Sequence, residues 1–99
     1  MNVQVHEAAH DELFNSAARY ELAVSGLGMD LLAEAERIVA LIAEHPAIGQ
    51  LGKLTTSDVR SFPMRRFPYT VVYAIRGSCL LVVAYAGDRQ APEYWRARL

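Results

Sequence analysis

Arginine and aromatic side chains are concentrated in the last third of the chain, and their types suit the binding of an anionic partner. The set comprises four arginines and an adjacent aromatic pair: Arg60, Arg65, Arg66, Arg89, Tyr94 and Trp95. A guanidinium is planar, permanently charged and donates in a fork that matches carboxylate and phosphate oxygens. Tyrosine and tryptophan add apolar contact area with a polar end. These residues predict a contact surface for an anionic or macromolecular target.

The charge of the chain is divided between its two halves. Residues 1–50 carry eight acidic and two basic side chains, a net charge of −6, and residues 51–99 carry three acidic and eight basic ones, a net charge of +5. Acidic helices can complement a basic sheet inside the fold, or the basic half can bind an acidic partner. The sequence leaves both interpretations open.

Other kinds of chemistry have little support. The chain has one cysteine, Cys79, which lies in an apolar run. A single cysteine excludes an internal disulfide and a cluster of cysteine metal ligands. The histidines (His6, His10 and His45) all lie in the first half of the chain, whereas the four arginines of this set lie in the second. No metal or cofactor is predicted. The chain shows no apolar stretch of membrane-spanning length and no secretory signal pattern, so a cytoplasmic location is expected.

The arginines lie around a predicted β-hairpin. Two runs rich in apolar, β-branched and aromatic residues, about 69–75 and 79–86, are separated by a Gly-Ser break. A further strand is predicted at 59–62, and Pro63 and Pro68, which lack a ladder donor, mark edges or strand starts. Both hairpin strands are apolar on both faces. One face can pack on helices, and the other is expected to meet a partner or the C-terminal segment.

The first half of the chain has a helical period. A short strand at 3–5 precedes a helix from Glu7 to about Val24, and a second helix runs from about Met29 to Glu44. The predicted stripe of the first helix is Ala9, Leu13, Ala17 and Tyr20, widened by Phe14 and Ala18. That of the second is Leu31, Leu32, Ala35, Ile38, Val39 and Ile42. Gly26 and Gly28 permit a sharp reversal between them, and residues 47–57 are predicted to form a loop. The order β-α-α-β-β-β predicts one α+β domain over 1–99, with two layers: a helical hairpin packed on an antiparallel sheet.

Three segments of the sequence resemble a known family. They are Gly26-Leu27-Gly28 with the helix that follows it to Pro46, Arg66-Phe67-Pro68-Tyr69-Thr70-Val71-Val72-Tyr73, and the ending with Arg89, Pro92 and Trp95. In this order they are similar to the RelE/ParE superfamily of toxins, the plasmid stabilisation type included. The resemblance implies the toxin of a type II toxin–antitoxin module, neutralised by an antitoxin encoded in an adjacent gene. A complex with two copies of each chain is one expected form.

The superfamily contains two mechanisms: RelE-like members cut mRNA on the ribosome, and ParE-like members poison DNA gyrase. RNA cleavage needs a proton acceptor, cations for the phosphate and a proton donor. RelE-like nucleases carry basic residues on their middle strands, and those positions are Thr70, Ser61 and Pro63 here. Position 87, a histidine in many relatives, is Gly87.

The ParE-like mechanism is therefore the leading prediction, with the six arginine and aromatic residues as its contact surface for gyrase. A ribosome-dependent endoribonuclease using Arg65, Arg89 and Tyr94 is the alternative, and a degenerate member that only binds antitoxin is a third. Two structural alternatives remain open: Tyr94 and Trp95 can cover the second sheet face, and Arg89 can pair with Asp88 or Glu93 at the surface.

Overall fold

The chain folds into two helices on one face of a five-stranded sheet, in a computed structural model that describes residues 1–52 and 58–99. The elements are β1 (Asn2–Val5), α1 (Glu7–Ala23), α2 (Leu27–Glu44), β2 (Gln50–Leu51), β3 (Asp58–Pro63), β4 (Tyr69–Arg76) and β5 (Cys79–Gly87). Two 3₁₀ turns, Pro46–Ile48 and Arg96–Arg98, follow α2 and β5. The predicted α+β class is confirmed. Within the described ranges, neither helix is long and apolar enough to cross a bilayer.

The sheet has the strand order β1-β5-β4-β3-β2 and is mixed. All neighbours are antiparallel except β1 and β5, which run parallel, with Asn2 opposite Cys79 and Val5 opposite Val82. The N–H of His6 continues this pairing by donating to the carbonyl of Val82 at 2.9 Å. The parallel pair departs from the all-antiparallel sheet of the prediction. Whether β1 runs parallel or antiparallel to its neighbour depends on the position at which α1 must begin over the sheet. Residues 3–5 contain no sequence pattern that indicates this position.

Each helix buries one apolar stripe against the sheet. The buried residues of α1 are Ala9, Leu13, Ser16 and Ala17, and those of α2 include Leu31, Ala35, Ile38 and Ile42. The predicted stripe of α2 is confirmed, with Leu32 and Val39 partly buried at its side. Phe14 is a correction, because it is 47% exposed and stacks on His10 with ring centroids 4.4 Å apart. Ala18 is exposed as well, so the stripe of α1 is narrower than predicted.

The two glycines between the helices have different roles. Gly26 adopts a left-handed conformation with φ of 88°, which favours glycine, and precedes α2. Gly28 lies inside the first turn of α2, which begins at Leu27 rather than at the predicted Met29. The carboxylate of Glu21 accepts the backbone N–H groups of Gly26 at 2.8 Å and Gly28 at 3.0 Å. A residue of α1 therefore satisfies the unpaired donors at the start of α2.

The segment after α2 is more ordered than a loop. The hydroxyl of Tyr73 donates to the carbonyl of Pro46 at 2.6 Å and accepts the N–H of Gly49 at 2.9 Å. Gln50–Leu51 then form β2 and pair with β3. The predicted loop is wrong for these residues, because long-range contacts from the buried tyrosine hold them in place. The remainder of that prediction, residues 53–57, lies outside the described residues.

The second face of the sheet is covered by the C-terminal segment. The sheet residues buried there are Val59, Val72, Ala74, Val83 and Ala84. Tyr94, Trp95 and Leu99 pack against this cluster and are partly buried themselves. Of the two occupants that the sequence left open for this face, the structure shows the chain's own C-terminal segment.

Candidate functional site

Arg60 is held by contacts within the fold. Its Nε donates to Asp58 Oδ1 at 3.0 Å, and its Nη1 donates to the carbonyls of Ala47 at 3.2 Å and Gly49 at 3.0 Å. The side chain is only 19% exposed. The structure thus gives Arg60 a fold-stabilising role, since three acceptors already occupy its guanidinium.

Arg65 and Arg66 lie together on the exposed turn between β3 and β4. Arg66 Nη2 donates to Asp30 Oδ2 at 3.3 Å, and its guanidinium carbon lies 5.4 Å from the centre of the Phe67 ring. Arg65 makes no side-chain hydrogen bond to a described residue. An ion pair between half-exposed side chains contributes little to stability, so both guanidinium groups are accessible to a partner.

Tyr94 is anchored to the first helix. Its hydroxyl donates to Glu12 Oε2 at 2.6 Å, and the guanidinium of Arg98 lies 5.2 Å from its ring centre. Burial and the hydrogen bond to the Glu12 carboxylate both raise the pKa of the Tyr94 hydroxyl, with burial the larger cause. The hydroxyl therefore stays protonated at neutral pH. Trp95 packs beside it on the second sheet face.

Glu12 and Arg98 form an ion pair beside β5, at the part of its edge that lies beyond the end of β1. Arg98 Nη1 and Nη2 donate to Glu12 Oε1 and Oε2 at 3.0 and 2.9 Å. The two side chains also form hydrogen bonds with two backbone groups at the edge of β5. The N–H of Tyr85 donates to Glu12 at 3.2 Å, and the carbonyl of Val83 accepts from Arg98 at 3.1 Å. Because both side chains are only 18% exposed, this is a largely buried ion pair with several hydrogen bonds.

Arg89 opens into a polar cleft of about 340 Å³ between α1 and the ends of β4 and β5. The residues that line this arginine–tyrosine cleft are Glu12, Asn15, Ser16, Arg19, Tyr69, Tyr85, Gly87, Arg89 and Gln90. Glu12 is thus shared by the cleft that contains Arg89 and by the anchor of Tyr94. The structure thus brings Arg89 and Tyr94 to one region, and Trp95 lies beside Tyr94 on the second sheet face. Arg60, Arg65 and Arg66 lie outside this cleft.

The two arginines of the cleft are not neutralised by carboxylates of the described residues. Arg19 Nη2 donates to Ser16 Oγ at 3.1 Å and lies 3.5 Å from the Tyr69 hydroxyl. Arg89 forms no ion pair with Asp88 or with another described residue, and Glu93 pairs instead with Arg96. The surface pairing considered for Arg89 is therefore not formed, and the cleft keeps two positive charges for a ligand.

Tyr85 is a largely buried residue in the lining of the cleft. The residue is 5% exposed, and its hydroxyl, which bonds to none of the described residues, remains accessible to water, since no buried polar side-chain atom of those residues lacks a partner. Burial raises the pKa of this hydroxyl to about 12. At neutral pH the cleft therefore contains proton donors, and its one carboxylate, Glu12, is already bonded to Arg98 and Tyr94. This arrangement suits the binding of an anion better than the removal of a proton from a substrate.

The raised pKa of Tyr85 predicts a loss of stability in alkali. The folded-state pKa of about 12 lies above the unfolded value near 10, so folding favours the neutral hydroxyl. The stabilisation is complete below pH 10, and about 2 kcal/mol is lost as the pH rises from 10 to 12. Urea unfolding of the wild type and Tyr85→Phe at pH 9 and pH 11.5 measures this. We expect a smaller decline for the variant, and an equal decline would contradict the assignment.

Sequence reasoning missed Arg19, Ser16 and Glu12 as parts of a site. Their spacing of four and three residues places them on one face of α1, one position before the apolar stripe of Leu13 and Ala17. The sequence signal for this part of the site was the row of polar residues that lies directly beside the buried apolar stripe of α1. Tyr69 and Tyr85 gave none, because aromatic residues in strands are most often core residues. Within the described ranges, no cluster of three His, Cys, Asp or Glu residues can hold a metal ion.

Comparison with known proteins identifies the fold. No protein-family model matches the chain, and no curated protein matches it in sequence. Among solved structures, it is similar to a chain of the "Chromosomal ParDE TA system from P. aeruginosa", with a TM-score of 0.65 and 14% sequence identity. The similarity covers 88% of this chain and 95% of that chain. At this identity the likeness shows a shared fold, and the function of the present chain must be argued from its own site.

Proposed function

We propose that this protein is the toxin of a type II toxin–antitoxin module and acts by binding its target without cleaving it. The observation that carries the proposal is the arginine–tyrosine cleft. It has two arginines without carboxylate partners among residues 1–52 and 58–99, while its own carboxylate is already occupied by Arg98. The shared fold with a ParDE chain supports a toxin–antitoxin role. DNA gyrase is the proposed target, as the resemblance to ParE-like toxins implies.

The proposed partner is an antitoxin encoded beside the gene. The exposed apolar surface for it lies on the helical hairpin, because the second sheet face is covered. A groove of about 450 Å³ between α1 and α2 is lined mostly by apolar side chains, among them Phe14, Met29, Leu32 and Val39. Phe14 is 47% and Met29 65% exposed. An amphipathic antitoxin helix can bury these residues, and two copies of each chain are a possible stoichiometry.

Expression with and without the neighbouring gene tests the proposal. We expect growth arrest from the protein alone, and rescue by the neighbouring gene product. The purified protein should inhibit gyrase supercoiling, and Arg89→Ala should weaken inhibition by about tenfold, the effect of one lost charge-assisted contact. Arg76→Ala, at the opposite end of the β4–β5 hairpin, removes the same charge as a control. Gyrase supercoiling that is unchanged by an excess of the protein would exclude gyrase as the target.

A ribosome-dependent mRNA endoribonuclease is the second candidate. The observation in its favour is that Arg89 lines the same cleft as Glu12, the carboxylate that accepts from the Tyr94 hydroxyl. Site-specific mRNA cleavage on translating ribosomes, lost in Arg89→Ala and Tyr94→Phe, would replace the first proposal. Arg65 belongs to this candidate only through the resemblance. Expression without growth arrest would instead favour a member that only binds antitoxin.

A further inference from the structure

The cleft offers more hydrogen-bond donors than the fold uses. Arg19 and Arg89 provide two guanidinium groups, and Tyr69 and Tyr85 provide two hydroxyls. Arg19 is held in place by Ser16, a residue 4% exposed, so its direction is set before any ligand arrives. Donors of this kind, arranged around one space, match the oxygens of a single anionic group.

Tyr85 adds a hydroxyl donor whose acceptor is not a described residue. The residue is 5% exposed, but its hydroxyl oxygen remains accessible to water, because the described residues contain no buried polar side-chain atom that lacks a hydrogen-bond partner. Tyr85 lines the cleft, so a ligand there can replace water as the acceptor of this hydroxyl.

We infer that the arginine–tyrosine cleft binds one carboxylate group of a protein partner, carried by an aspartate or glutamate side chain. The inference deepens the proposed function and rests on it only for the identity of the partner. The carboxylate accepts from the guanidinium groups of Arg19 and Arg89 and from the hydroxyl of Tyr85. Tyr85 is protonated at neutral pH and is therefore a donor.

The surrounding charge favours a carboxylate over the phosphates of a nucleic acid. Glu12 and Arg98 neutralise each other, which leaves the two arginines as the net charge of the cleft. The helix beside them, residues 7–23, carries four acidic side chains and one basic one, Arg19. A polyanion that entered the cleft would pass this acidic surface, whereas a protein segment can bring one carboxylate and neutral or basic neighbours.

Two-dimensional NMR titration of the full chain with small probes tests this inference without reference to toxicity. The probe is N-acetylglutamic acid α-amide, which has one side-chain carboxylate, and its matched control is N-acetylglutamine α-amide. We expect a Kd of about 1 to 10 mM for the acid, the strength of a few charge-assisted hydrogen bonds. Amide shifts should centre on Ser16, Gly87 and Arg89, and the glutamine analogue should produce none.

Variants distinguish a built site from general attraction to positive charge. Arg19→Gln and Arg89→Gln should each weaken binding of the acid at least about fivefold, and Tyr85→Phe by about threefold to tenfold. Arg76→Gln, with the same charge change, should bind as the wild type does. Equal weakening by Arg76→Gln, or equal shifts with the glutamine analogue, would overturn the inference.

Two further arms use inorganic phosphate and a single-stranded oligouridylate. Tighter binding of either than of the acid, with shifts at the same residues, would assign the cleft to phosphate and overturn the carboxylate. A cleft that binds the carboxylate in a protein that leaves gyrase untouched would keep this inference and remove only the proposed target.

Discussion

Replacing Glu12 with alanine is expected to lower the free energy of unfolding by about 3 to 4 kcal/mol, within the range for removal of one partner from a buried ion pair. The Glu12 carboxylate accepts from both Nη atoms of Arg98, from the Tyr94 hydroxyl and from the N–H of Tyr85. Without the Glu12 carboxylate, the guanidinium of Arg98, whose side chain is only 18% exposed, has no opposite charge beside it. Two further donors lose their acceptor at the same time.

The same substitution should loosen the C-terminal segment from the sheet. Trp95 is the only tryptophan of the chain and packs on the second sheet face, so its fluorescence reports this contact. We expect a red shift of emission in Glu12→Ala before global unfolding. Urea denaturation followed by circular dichroism gives the free energy separately.

Glu34→Ala is the matched control for Glu12→Ala. Glu34 also lies on a helix and accepts from an arginine, Arg37 Nε, at 2.9 Å. The Glu34 side chain is 11% exposed, but that of Arg37 is 57% exposed, so the guanidinium stays in water when Glu34 is removed and the loss should be about 1 kcal/mol. In a double-mutant cycle, Glu12→Ala and Arg98→Ala should show coupling of at least about 1 kcal/mol. Additive losses, or equal losses for Glu12→Ala and Glu34→Ala, would contradict the role given to this pair.

Replacing Gly28 with alanine is expected to destabilise the fold by about 3 kcal/mol, the upper part of the range for overpacking. A Cβ atom at this position would lie 2.3 Å from the backbone carbonyl oxygen of Ala17 and 2.9 Å from the Cβ of Glu21. Neither obstacle is the flexible end of a side chain, so the two helices would have to separate. Separation would also weaken the hydrogen bond between the Gly28 N–H and the Glu21 carboxylate.

Ala33→Gly provides a comparison on the exposed side of the same helix. It should cost about 1 kcal/mol, the propensity difference between alanine and glycine, without any steric term. Thermal and urea unfolding of the three proteins measure the losses. A Gly28→Ala protein as stable as the wild type would show that α1 and α2 do not approach as closely as the structure places them.

The elements with strong periodic patterns were predictable from the sequence. The stripe of α2, with Leu31, Ala35, Ile38 and Ile42, is buried as its spacing indicates. The β4–β5 hairpin runs from Tyr69 to Gly87, close to its predicted bounds. These segments are specified by local propensity and by burial of one face, both of which leave a regular pattern in the chain.

Features that depend on contacts between distant residues were not predictable. β2 pairs with β3 where a loop was expected, since Tyr73 holds the backbone of the segment before it. Gly28 was interpreted as a turn residue, but its lack of a side chain serves the contact with Ala17. The residue pattern around Gly49 does not indicate its contact with Tyr73, and the pattern around Gly28 does not indicate its contact with Ala17, because these partners are distant in the chain.

The sequence by itself determined the helical hairpin, the strand-rich second half and the concentration of arginine and aromatic residues near its end, because periodicity and composition are local. Only the tertiary structure decided which of those residues meet. It bonds Arg60 to backbone carbonyls and joins Tyr94 and Arg98 to Glu12. It also places Arg89, Arg19 and Tyr85 around one cleft. The charge and hydrogen bonding of a side chain depend on neighbours that the folded backbone supplies, so the cleft exists only in the assembled fold.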